Sequence, residues 1–363
     1  MRFFGLLVLA VYTSIVTATV LPRTPPPKCT KPLLERREWR TLSTAQKDDY
    51  LNAVKCLMEK PSSGVTSKPQ ARTRYDDFVA SHITLGDEVH MVGQFLPWHR
   101  LLLSVYEKAL REECGYTGAQ PYWNWSLDVD NGMTSWAASP IWDPVHGFGG
   151  NGVHIPNYNG PFNNNSNFNG WVVGANTGGG CIQDGPFKDY MLALGPGPVL
   201  NQDHCITRDW IPTYFPMVSA GAVAQVLTSP NFEAFRVDLE GVITPQVKVH
   251  DGGHLAVGGE MHDLYSSNGG AKNRLILLSF LLTAWLFLEP TFYLHHAHLD
   301  KIWWDWQKLA SSNLYDVSGR SGPNPPFQDV TLDFLMRSDG LTSLVSIEDV
   351  MDIENEFLCF TYI

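Results

Sequence analysis

Six of the chain's twelve histidines stand in two triplets, and a fold for this chain has to be one that can gather each set. The first triplet is His82, His90 and His99; the second is His250, His254 and His296. His250 and His254 are four positions apart, so on a helix they project from the same face. That spacing alone is weak, because two histidines often share a helix surface. The zinc-protease pattern needs Glu directly after the first histidine, and here the residue is Asp251. His82 by itself would equally read as a buried, hydrogen-bonded residue. The segments around the triplets are what give them weight.

Those segments are mostly helical in pattern. Ser43 and Gln46 form a capping box, and Tyr50, Leu51, Val54, Leu57 and Met58 then make one apolar stripe. A second helix is expected over Ala71–His82, with Tyr75, Phe78 and Val79 facing inward. A third is expected from about Trp98 to Arg111. Ser229-Pro230 reads as a cap with proline at the first helical position, opening a helix that ends near Glu240-Gly241. A last one begins near His295 and carries Leu299, Ile302, Trp303 and Trp306. Between about 112 and 228 the chain is rich in Gly, Asn, Pro and aromatics, which predicts long ordered loops without a separate helical domain. Asn164-Asn165-Ser166 is a glycosylation sequon on such a loop. Asn124-Trp125-Ser126 is not counted as another, because its aromatic neighbours predict burial.

Phe95-Leu96-Pro97-Trp98-His99-Arg100 leads into the third helix, and Pro121-Tyr122-Trp123-Asn124-Trp125 follows it. Much later comes Glu289-Pro290-Thr291-Phe292-Tyr293-Leu294-His295-His296, then Asp300 and Trp304. Here the chain resembles the tyrosinase, catechol oxidase and hemocyanin superfamily. The steps from His82 to His90 and on to His99, with the opening Arg37-Glu38-Trp39-Arg40-Thr41-Leu42-Ser43, resemble its short secreted fungal branch.

The resemblance implies a mainly α domain: a central four-helix bundle holding a dinuclear copper site, with long irregular loops outside. It implies two copper ions as cofactors, the first on His82, His90 and His99, the second on His250, His254 and His296. In the family's double-histidine motif the second histidine is the ligand, so His295 is expected beside the site and His298 away from it. Glu240 resembles the glutamate that orients a water near the second copper. Helix-end placement on the surface is the rival reading. Phe292 resembles the phenylalanine that meets the substrate ring, with core packing as its rival. Asp300 is expected to pair with an arginine near the metal helices. The chemistry agrees: imidazole suits copper in both oxidation states, and six imidazoles without a carboxylate favour redox over hydrolysis. The implied partners are O2 and a small phenol or catechol, the product an o-quinone.

The chain departs from the family in three places. Asp251 stands where many monophenol-hydroxylating members have Asn, which puts phenol hydroxylation in question. No cysteine lies between His82 and His90, so the Cys–His thioether of some members cannot form there. His296 comes 42 positions after His254, more than the family shows, and the excess coincides with Leu275–Leu288, fourteen residues of which only Ser279 and Thr283 are polar. That is short for a bilayer, which needs about 20. Residues 270–288 are therefore expected to be an aberrant insertion, from a retained intron or gene-model error. Three function classes follow. The first is an oxidase of o-diphenols that also hydroxylates monophenols or does not. The second is an O2 carrier of the hemocyanin kind. The third is a form whose catalysis the insertion impairs.

Residues 1–18 read as an export signal: Arg2, an apolar stretch from Phe3 to Val16, then small residues. Export suits the six dispersed cysteines, which predict disulfides in one of 15 connectivities. Residues 19–363 then form one catalytic domain, secreted and with no stable membrane insertion. Phe360-Thr361-Tyr362 resembles the aromatic motif that closes the family's catalytic domain, and no shielding domain is expected after it. The formal net charge of −11 repels phosphate backbones, which argues against nucleic acid as a partner.

Overall fold

The computed structural model describes residues 26–156, 177–195, 203–241, 248–262, 264–266, 283–285, 289–322 and 326–363. Expectations for the export signal and the Asn164 sequon lie outside these. So does most of 270–288, of which only Thr283–Trp285 is described, paired antiparallel with Leu264–Ser266.

Nine α-helices are described: α1 Thr44–Glu59, α2 Arg74–Val89, α3 Phe95–Cys114, α4 Met133–Ala137, α5 Ala220–Val226, α6 Phe232–Glu240, α7 Val249–Val257, α8 Thr291–Leu309 and α9 Ile347–Met351. The histidine-bearing helices form the centre. α2 packs on α3, α3 on α8 and α8 on α7, while α1 covers α2 and α3. The mainly α fold with irregular loops is as expected.

Local chemistry sets the helix bounds. The Ser43–Gln46 capping box opens α1, and the whole predicted stripe is buried. α2 starts later and runs further than Ala71–His82. Thr73 and Asp76 cap it reciprocally, and nothing breaks the helix until Val89. α3 begins earlier than the expected Trp98, at Phe95, with Pro97 in the first turn where a missing N–H costs nothing. It stops at Gly115, whose φ of 72° takes the left-handed conformation glycine tolerates. At α6 the cap is Asn231, whose side chain accepts from the Ala234 N–H. The expected cap, Ser229, donates to Asp238 instead, at 2.9 Å. The 112–228 stretch is mostly loop where described, but the short α4 and α5, the latter capped by Ser219, were not anticipated.

Covalent and ionic ties fasten the periphery to this centre. Disulfides join Cys29–Cys359, Cys56–Cys114 and Cys181–Cys205. Strand Leu34–Arg36 pairs parallel with Phe360–Tyr362. The expected arginine partner of Asp300 is double. Arg100 Nε donates to it at 2.6 Å, while Arg36 contacts it at 3.5 Å and Glu107 at 2.8 Å. At the head of α8, Glu289 is buried in a two-pronged pair with Arg208 at 2.6 and 2.8 Å.

Candidate metal centre

The first triplet is built from the end of α2 and the start of α3. His82 lies on α2, and its ring centroid is 5.0 Å from that of His90 and 5.5 Å from that of His99. His90 follows the last residue of α2, and its Nδ1 sits 2.9 Å from the carbonyl of Gly86. His99 repeats the device: its Nδ1 is 2.8 Å from the carbonyl of Phe95, four residues back. A carbonyl only accepts, so both Nδ1 atoms carry the proton and both Nε2 atoms keep a lone pair. His99 Nε2 faces His82 Nε2 at 3.4 Å, and His90 Nε2 is buried with no hydrogen-bond partner among the described residues.

The second group comes from α7 and α8. His250 and His254 share a face of α7, with their Nε2 atoms 3.1 Å apart. His250 Nδ1 lies 2.9 Å from Asp251 Oδ1. α8 contributes His296, and the structure brings His295 into the same group. One nitrogen from each of His250, His254, His295 and His296 lies within 4.8 Å of the others, as is true of His82, His90 and His99. His298 belongs to neither group; it is buried between Tyr122 and Trp125. The groups adjoin, with the rings of His99 and His296 stacked at 4.3 Å and 11°.

Phe292, one turn before His296 on α8, is 98% buried, with its ring 4.3 Å from His296, 5.4 Å from His82 and 6.2 Å from His254. It thus touches both groups. Phe95, part of the sequence motif but given no role there, also bridges them, at 4.8 Å from His99 and 5.0 Å from His250. Glu240 is fully buried at the end of α6, which rules out a surface position. Its Oε1 accepts from the Met91 N–H at 2.6 Å and its Oε2 from Arg236 at 3.1 Å. Met91 has a φ of 56°, unusual for a side chain with a Cβ, so this carboxylate holds a strained residue directly after His90.

Burial dominates the electrostatics. It pushes His90 and His250 down to about 3, and His99, His254, His295 and His296 well below the ordinary imidazole range. These imidazoles are therefore neutral, as metal ligands must be. Burial also raises Asp251 strongly, and Glu240 to about 8 against the opposing pull of Arg236. Among the described residues no carboxylate joins either group. Two clusters of neutral nitrogen donors with lone pairs turned inward fit a pair of copper ions.

Residues 72–309 match the family model described as the common central domain of tyrosinase. The tyrosinase-like protein phomQ1 of Diaporthe leptostromiformis is 34% identical, over 93% of this chain and 79% of its own. The N-acetyl-6-hydroxytryptophan oxidase ivoB of Emericella nidulans is 30% identical, over 90% and 91%. Among solved structures, a polyphenol oxidase from Thermothelomyces thermophila superposes with a TM-score of 0.75 at 31% identity, covering 93% of this chain and 91% of that one.

Proposed function

Because the chain belongs to the tyrosinase family, whose members use a dinuclear copper centre, we propose that it oxidises o-diphenols to o-quinones with O2. Two catechols are consumed per O2, giving two quinones and two waters. The observation that carries this reading is the pair of all-imidazole groups in contact through His99 and His296. In it, His82, His90 and His99 hold one ion and His250, His254 and His296 the other. When bound, the two ions supply the two-electron redox capacity that reduction of O2 needs.

The remaining work falls to the chain's own side chains. Gly86 and Phe95 carbonyls aim the Nε2 atoms of His90 and His99. With a copper ion on its Nε2, His250 would carry its proton on Nδ1 and donate it to Asp251 at 2.9 Å, a carboxylate–histidine arrangement that fixes the tautomer. The Phe292 ring gives an aromatic substrate a surface between the groups. Glu240 serves by holding Met91, and so His90, through a backbone N–H. With both Glu240 oxygens engaged by Met91 and Arg236, that side chain is not left to help a monophenol lose its proton, which favours catechol over phenol as substrate. The ivoB relative is named as an N-acetyl-6-hydroxytryptophan oxidase, which makes a hydroxylated indole the alternative substrate class to test.

The test is O2 uptake by the copper-loaded mature chain. Uptake with catechol and none with tyrosine is the expected outcome. Uptake with both makes the chain a tyrosinase, and uptake with neither overturns the oxidase reading. Residues 1–18 are proposed as a cleaved export signal, in keeping with the three disulfides. Residues 270–288 are proposed as extraneous to the domain. A version without them should bind two copper ions and turn over at least as well as the full chain.

A further inference from the structure

We infer that Trp125 is a positioning residue that keeps His295 off the metal and leaves the second site to His296. This deepens the dicopper reading and rests on it. His295 and His296 are neighbours on α8, both are buried, and both come within reach of His250 and His254. A fourth imidazole would occupy the coordination position that a reactant needs, so the chain must hold one of the two back.

The Trp125 indole Nε1 lies 3.0 Å from His295 Nδ1, and both residues are fully buried. An indole N–H only donates, so His295 Nδ1 must accept and its proton must sit on Nε2. One nitrogen then has its lone pair committed to Trp125, and the other has none to offer. This is the reverse of His90 and His99, where a backbone carbonyl holds the proton on Nδ1 and frees Nε2.

The site is built for this. Trp123 N–H donates to the Leu294 carbonyl at 3.1 Å, which pins the Trp125 segment to α8 one residue before His295. The Trp123 indole and Ser139 hydroxyl both donate to Asp128, which fixes the short turn Trp125–Leu127. On the other side, Gly253 makes the slot for the His295 ring: a Cβ there would sit 2.3 Å from His295 Cε1.

Trp125→Phe keeps a ring in place and removes the donor. The first measurement uses the metal-free full chain with 15N-labelled histidine, and reads each imidazole tautomer from its long-range proton–nitrogen correlations. The His295 signals are those lost in His295→Gln. The wild type should show His295 protonated on Nε2, and Trp125→Phe should move it towards Nδ1. A wild-type His295 protonated on Nδ1 overturns the inference even if the variant does not fold, and so does a tautomer unmoved by Trp125→Phe. The second measurement counts bound copper. His296→Ala should fall from two ions to one, and Trp125→Phe/His296→Ala should regain the second, through the released His295. A double variant that stays at one ion overturns the inference. A wild-type chain that takes up no copper overturns the dicopper reading instead, while the tautomer result still stands or falls alone.

Discussion

At the scale of single residues, the chain spends its buried polar groups on orienting other groups. Asp251 shows this best. Its carboxylate is 2.9 Å from His250 Nδ1, in the buried first turn of α7. Asp251→Ala leaves that ring without its partner and should weaken the second copper site by about 10- to 100-fold, measured by competition with a chelator. Asp251→Asn keeps an acceptor oxygen and should cost far less. Equal losses in the two variants would mean that charge, not orientation, is what matters. The histidines of both triplets were legible in the sequence because their spacing and aromatic neighbours agree. What Asp251 and Glu240 touch was not, because a hydrogen-bond partner is set by folding. Glu240 lies 149 positions from the N–H it holds. Trp125 sat in a recognisable aromatic motif, yet its bond to His295 spans 170 positions.

At the scale of elements, the helices were legible wherever an apolar stripe and a cap agreed. α1 was placed to within its capping box. Boundaries failed where the cap was less usual: Asp76 replaces the customary Glu or Gln in the α2 box, and Asn231 outcompetes Ser229 at α6. The close approach of α7 to α8 could not be read at all, since Gly253 in isolation reads only as a weak helix former. In the fold it is the point where the two helices meet. Gly253→Ala would set a Cβ at 2.3 Å from the His295 ring. Helix propensity favours Ala by about 1 kcal/mol, whereas overpacking costs about 1–3 kcal/mol, and here the clash is with a ring enclosed on all sides. The expected outcome is a net loss of stability in denaturant unfolding, together with weaker binding of the second copper. Glycine-to-alanine at Gly221, whose nearest neighbour to such a Cβ is 3.8 Å away, should instead be neutral or stabilising.

At the scale of the whole molecule, the paired strands Leu34–Arg36 and Phe360–Tyr362 are tied to the histidine-bearing helices. Asp300 is one turn beyond His296 on α8, Arg100 directly follows His99 on α3, and their buried pair at 2.6 Å joins the two helices. Arg36, from the first strand, and Tyr362, from the last, close on the same carboxylate, Tyr362 donating at 2.6 Å. Arg36 also stacks over Phe360 at 3.5 Å, and the Cys29–Cys359 disulfide clamps the same two strands. Removing one partner from such a network leaves the others charged and buried. Asp300→Ala leaves the Arg100 guanidinium without a carboxylate, while Arg36 keeps Glu107 at 2.8 Å, and should cost about 3–5 kcal/mol. Tyr362→Phe removes the hydroxyl that donates to Asp300 at 2.6 Å and accepts from Arg36 at 3.1 Å but keeps the ring packing, so its loss should be about 1.5–3 kcal/mol. If the network acts as one unit, the two losses will not add, and the double variant will sit close to Asp300→Ala alone. Additive losses in urea unfolding would show instead that Tyr362 stabilises the last strand independently. Because Arg100 and Asp300 each lie within a turn of a proposed copper ligand, Asp300→Ala should also lower copper retention, while Tyr362→Phe, whose ring still fills its place, should leave the copper count at two.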